Sequence, residues 1–291
     1  MYSPEFLQQK GFIPGDNENE EEFFIRVKNA YAFQKNPYSF FEKAPPIPFS
    51  NPIPWHHWDW AKKNLKKFFF VSPDWIVGFY ENKKILPWQG GVCWTFFEEK
   101  KKFSFLQLRK TFKKGKLLGL YSKEELLAHE AVHVMRAGFS DSPYEELFAY
   151  FVSDSFIRRI FGPFFQKSWE PILICFPLFL IPMLGEIAFE NFLITIFALL
   201  ISFGSIAWLG FRLAILRYRF NKVFKKLANL LGSHQMAMQV LFRLSGREIS
   251  ELAKLPLVLV EEYFTLRKDL FRFRYLYENF FAKNQKKRDA L

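Results

Sequence analysis

Within the stretch SKEELLAHEAVHVMRAG, residues 122–138, the run His129-Glu130-Ala131-Val132-His133 sets two imidazoles four positions apart with a carboxylate directly after the first. On a helix, positions i and i+4 stack one turn apart on the same face. Both rings can therefore reach one metal ion, and Glu130 can reach a water beside it. The chemistry served by such a set is metal-assisted hydrolysis, with Zn2+ as the expected metal and Glu130 as the general base. The competing interpretation is a pair of histidines on a solvated helix face. Against it stand the small, apolar Ala131 and Val132 between the rings, as a buried helix needs.

The helix that must position this motif is well punctuated. Ser122 with Glu125 matches a capping box, and Gly138 stands where a C′ glycine belongs. A second helix is expected from Ser142 as N-cap, through Pro143 at N1 and Glu145 at N3, to about Phe161. It brings carboxylates near the motif, Glu145 and Glu146, with Asp141 just before it. As N3 of a capping box, Glu145 would be directed to its own helix N-terminus and away from a metal. Upstream, Trp75 to Tyr80, Val92 to Glu99 and Phe103 to Lys110 are aromatic and β-branched, separated by lysine-rich connectors. They predict a small antiparallel sheet, and hence an α+β fold.

The H-E-x-x-H motif followed by Glu146-Leu147-Phe148-Ala149 resembles the gluzincin zinc metallopeptidases, and more loosely their membrane-associated members, over Ser122 to Asp154. The resemblance implies that Glu146 is the third ligand beside His129 and His133, that a fourth position is left for water, and that Glu130 takes a proton as that water attacks a peptide carbonyl. Tyr150 stands where some members carry an aspartate. The resemblance also implies an oxyanion donor, for which Tyr144, Tyr150 and His234 are candidates, and an edge strand that pairs with a peptide or protein substrate, here Phe103 to Lys110. His56-His57, set among tryptophans, is read as packing.

Two uncharged runs follow, Pro171 to Gly185 and Phe192 to Phe211. The second, at 20 residues, covers about 30 Å as a helix, enough for the hydrocarbon core. A transmembrane hairpin is expected over 171–211, with Pro177 and Pro182 locally breaking its first helix, which spans or re-enters. Glu186 and Glu190 lie at the tip, whereas Arg158, Arg159 and Lys167 precede the hairpin and Arg212, Arg217 and Arg219 follow it. The positive-inside rule then places both termini and the active site in the cytoplasm. The start, MYSPEFLQQKGF, lacks the basic and then apolar pattern of a signal peptide.

Composition excludes several classes. A 50% hydrophobic content argues against disorder, and two cysteines permit neither a disulfide framework nor a Cys-ligated zinc module. A net charge of +12, concentrated beside the hairpin and in Lys283 to Arg288, points to anionic membrane lipid; no nucleic-acid motif accompanies it. The expected organisation is an irregular N-terminal segment (1–60, polar and either mobile or at the surface to residue 22), a zincin-like catalytic domain (61–165), the hairpin (171–211), and a helical region (217–291) broken at Gly232, Ser245 and Pro256. The function expected is that of a membrane-anchored zinc metallopeptidase. Its rival is a non-enzymatic membrane protein whose basic helical tail recruits partners to lipid.

Overall fold

The structure is a computed structural model that describes residues 3–86, 89–98, 101–117, 121–139, 143–167, 169–183 and 192–282. Helices α1 (Pro4–Gln9), α2 (Glu20–Lys35) and α3 (Asp59–Phe69) precede strands β1 (Gly78–Tyr80), β2 (Gly91–Glu98) and β3 (Lys101–Leu108). After a short β4–β5 pair (Lys116–Leu117, Tyr121–Ser122) come α4 (Lys123–Arg136), α5 (Glu145–Phe151), α6 (Phe156–Phe161), α7 (Glu170–Met183) and α8 (Phe192–Leu231). The chain ends on α9 (His234–Phe242), α10 (Gly246–Lys254), α11 (Val260–Thr265) and α12 (Phe271–Leu276).

The main sheet has the order β1-β3-β2 and is mixed. The expected antiparallel sheet is thus corrected: β2 and β3 pair antiparallel, but β1 runs parallel to β3 with Gly78 opposite Leu106. The cause is non-local. β1 takes the far edge of β3, where Ile53 N donates to Gly78 O and Tyr80 N to Asn51 O. The expected substrate-pairing edge, β3, is therefore the central strand, and β2 is the edge. Period-two alternation sorts the side chains: Phe103 and Phe105 stack on Phe33 of α2 (4.6 and 5.3 Å between centroids), while Leu106 and Leu108 join the core that holds α4.

The acidic run of the N-terminal segment lies at the surface, as one of the two expected readings has it, and it starts a helix. Asn19 and Glu22 form a reciprocal capping box at the start of α2, so the acidic run lies at the positive end of a helix dipole. Glu18, just before that box, holds the buried Arg26. One core extends from Leu7 and Phe12 through α4 to Leu276 and Phe281.

At α4, Ser122 Oγ accepts from Glu125 N at 3.1 Å, but the Glu125 carboxylate engages Ser153 and Arg158 instead of closing the box. Gly138 is not a left-handed cap. It allows a close crossing: a Cβ on Gly15 would lie 2.4 Å from Gly138 O, and Asp16 N donates to that oxygen. The second helix also differs from expectation. It starts at Glu145 with Tyr144 at the cap position, Ser142 and Asp141 lying outside the described residues. It stops before Ser153, whose hydroxyl accepts from Ser155 N; Ser155 then caps α6. Such local side-chain bonds compete with helix continuation.

Helix α7 runs unbroken through Pro177, contrary to expectation, and packs on α8, where Ser202 Oγ donates to Ile174 O. Helix α8 is 40 residues long, roughly 60 Å, and continues the uncharged run through Arg212 to Leu231. Among the described residues it is the one helix long and apolar enough to cross a membrane, and only 17% of its apolar window is buried. Helix α7 is described over 14 residues, about 21 Å, up to the edge of the described residues at Met183. The expected tip at Glu186 and Glu190 lies outside the described residues. The C-terminal breaks are where expected: Gly232 has φ +63°, and Ser245 with Glu248 forms a complete capping box.

Candidate metal centre

Helix α4 presents His129 and His133 on one face, their Nε2 atoms 3.3 Å apart. Glu146, at the second position of α5, reaches across to both: Oε2 lies 3.5 Å from His129 Nε2 and Oε1 3.5 Å from His133 Nε2. Ligand atoms at tetrahedral corners around Zn2+, each 2.0–2.1 Å from the ion, lie about 3.4 Å from one another. The two ring nitrogens are at that spacing; one ligand atom from each of the three residues lies within 4.8 Å of the other two, and the group could hold a metal ion. As direct His–carboxylate hydrogen bonds, 3.5 Å contacts are long beside the 2.7–2.9 Å of charge-assisted pairs.

Glu145 is occupied elsewhere. Its carboxylate takes Arg136 Nε at 2.9 and 3.1 Å and a terminal nitrogen at 2.8 Å. Arg136 also donates to the carbonyls of Phe242 and Leu244, and its guanidinium sits 4.3 Å from the Phe148 ring centroid. This buried clamp joins α4, α5 and the end of α9, and so sets the rotation of α5 that turns Glu146 toward the rings.

Glu130 is buried beside the cluster, under the first residue of β2. A Cβ at Gly91 would sit 2.9 Å from Glu130 Oε1 and 2.8 Å from Leu108 Cδ2. Only glycine leaves the carboxylate its place. Burial pushes Glu130 up to about 7, with the His133 ring pulling down and the Glu146 carboxylate pushing up. Burial, then His133, hold His129 well below the usual imidazole range, in the neutral form that binds metals. For His133 burial acts downward, but the carboxylates of Glu146, Glu130 and Glu145 outweigh it. Burial raises Glu146 against the pull of His133. A cation among these groups would reverse the direction for the carboxylates.

Two cavities flank the cluster. One of about 590 Å³ follows β2, where it meets Val92, Cys93 and Thr95. Another of about 540 Å³ passes Tyr150 and leads toward Pro171. A larger cavity, about 690 Å³, opens between the start of α2 and α12 and holds none of the cluster residues.

Of the oxyanion candidates, Tyr150 is at the cluster, its ring edge-on to His129 at 4.6 Å. Tyr144 OH lies against Ser250 Oγ, and His234 packs on Phe224. His57 bonds Tyr80 OH through Nδ1 and is not part of the cluster. Sequence reasoning missed Gly91 and Arg136; the Gly90-Gly91 pair opening a strand was the signal for the first. Comparison with known proteins returned no matching family, curated protein or solved structure.

Proposed function

We propose that this chain is a membrane-anchored, zinc-dependent peptidase. The observation that carries the proposal is the convergence of one ligand atom each from His129, His133 and Glu146 to within 4.8 Å of one another, with the buried Glu130 beside them. Two imidazoles and one carboxylate are a ligand set typical of Zn2+ with a position left open, the mark of a catalytic site. When bound, zinc supplies Lewis-acid polarisation of a carbonyl oxygen and lowers the pKa of an attacking water.

The remaining work falls to the protein. Glu130, buried beside the cluster, is placed to accept the proton of the attacking water and to return it to the departing amine. Edge strand β2 borders the cavity with Gly91, Val92 and Cys93 and offers main-chain groups to an extended peptide. The Tyr150 hydroxyl is the best-placed donor for the developing oxyanion. Helix α8 anchors the chain, and its basic continuation from Arg212 puts the catalytic unit on the cytoplasmic side.

The test is metal analysis joined to an activity screen. Purified protein is expected to carry one zinc per chain, lost in His129→Ala/His133→Ala, and to cleave a mixed peptide library in a Glu130-dependent manner. Stable protein without metal or hydrolysis would leave a non-enzymatic membrane protein as the better description.

A further inference from the structure

The cavity of about 540 Å³ is lined at one end by His129, Glu130 and Glu146 and at the other by Phe165, Gln166 and Pro171. Pro171 is the second residue of α7. Its neighbour Glu170, buried, takes a bidentate bond from Arg212, whose guanidinium also donates to Phe164 O at 3.0 Å. Arg212 is the first charge after the uncharged run of α8. The hydrocarbon must therefore end near this ion pair, and the cleft ends there too.

A second observation fixes the same level. Arg217, five residues or about 7.5 Å farther along α8, donates to Arg159 O and Ile160 O at the end of α6. Helix α6 exposes Phe156 and Ile157 (each 68%) and Phe161 (60%), and the chain beyond it exposes Phe165 and Trp169. Large apolar and aromatic side chains beside basic residues, lying next to a membrane helix, make an interfacial segment. By contrast Val258, 82% exposed, follows a turn held by Lys226 Nζ on Leu252 O and Ala253 O. Lys226 is 14 residues, about 21 Å, past Arg212, well clear of that plane.

We propose that the cleft opens at the bilayer surface and that its substrate class is the juxtamembrane segment of a membrane-inserted polypeptide. This rests on the peptidase assignment above. A chain leaving the bilayer beside α7 enters the cleft at Phe165 and passes the metal residues while still tethered. Tethering raises its effective concentration, and avidity gains of this kind reach about 10²–10⁴.

The test uses the full chain with zinc in phosphatidylcholine/phosphatidylglycerol vesicles. One substrate set is a single apolar helix carrying mixed-sequence tails of about 30 residues, or about 100 Å extended; the other is the same tails without the helix. Cleavage sites are read by mass spectrometry, with Glu130→Gln as the blank. Anchored tails are expected to be cut at least about 100-fold faster, within roughly ten residues of the bilayer, about 35 Å of extended chain. Equal rates on both sets, or sites spread evenly along the tail, would overturn the substrate inference and leave the peptidase standing. No cleavage above the blank would remove both. Independently of activity, nitroxides at Phe165→Cys and Val258→Cys, in a chain with Cys93→Ser and Cys175→Ser, are expected at headgroup depth and in water respectively; equal water accessibility would sink the proposal.

Discussion

The adjacent carboxylates of α5 have opposite assignments, and replacing each by alanine separates them in two assays at once. Glu145 neutralises Arg136, whose side chain is fully buried (0% exposed) while Glu145 is 20% exposed. Breaking a buried ion pair from one side costs about 3–5 kcal/mol. Here Arg136 keeps its bonds to Phe242 O and Leu244 O, and water can reach the vacated site. The lower end, about 3 kcal/mol, is therefore expected for Glu145→Ala, read as a lowered midpoint in chemical unfolding of the metal-free protein in detergent. Glu146 has no arginine or lysine partner among the described ion pairs and is a partly buried carboxylate, 26% exposed, whose pKa desolvation raises. Its removal should leave the metal-free stability within about 1 kcal/mol, because a desolvated carboxylate is relieved as a ligand is lost. Metal affinity runs the other way. Outer-shell changes cost about 10–100-fold, so loss of one of three protein ligands should exceed 100-fold in a competition titration against a chromophoric chelator. Glu145→Ala should stay within the outer-shell range. If Glu145→Ala abolishes zinc binding in protein that remains folded, while Glu146→Ala retains it, the ligand assignment and the clamp argument both fail.

Glu130→Gln should keep one zinc per chain and lose about 10²–10⁴ in turnover, measured on any peptide the parent cleaves; chelation should abolish the parent activity, and added Zn2+ should restore it. Gly91→Ala places a methyl 2.9 Å from Glu130 Oε1, so kcat should fall while metal content and unfolding midpoint stay close to the parent, since the displaced atoms are the ends of flexible side chains. Unchanged kcat in Gly91→Ala would show that Glu130 is not held under β2. Gly15→Ala meets the Gly138 backbone instead of a side chain, and should destabilise the fold by about 1–3 kcal/mol without altering zinc stoichiometry.

How far the sequence could be read depended on the range of the interactions involved. The two histidines and Glu130 were legible because one helical turn relates them, and helical periodicity is local physics. Ser122 capping α4 and the Ser245–Glu248 box are equally local, and both are present. The sheet was not legible in the same way. FSFLQL reads as a strand from its own alternation and as an edge only through the resemblance, yet β3 is central because β1 arrives from the other side. The acidic run Asp16 to Glu22 reads from charge alone as a mobile or surface segment, but charge of that sign is also what a helix N-terminus attracts, and its last three residues are the first turn of α2. The seven-residue α5 ends early because Ser153 finds Glu125 and Ser155, partners that the periodicity does not contain.

The same division of range explains why Glu146 was reachable and its support was not. Glu146 converges on the histidines through a rotation of α5 that Arg136 imposes, by holding Glu145 from α4 and two carbonyls 106 and 108 residues away. In the sequence, Arg136 is only a basic residue in the last turn of a helix, where the dipole alone would justify it. Dipole stabilisation would leave it exposed, whereas here it is buried against Phe139, Phe148 and Phe242. A buried arginine is costly unless each donor is used, and in this fold its donors tie together α4, α5 and the end of α9, the first two of which carry the candidate ligands. The ligand set is thus a local pattern completed by a long-range one, so residues outside the motif, Arg136 and Gly91 foremost, decide whether the H-E-x-x-H sequence becomes a site.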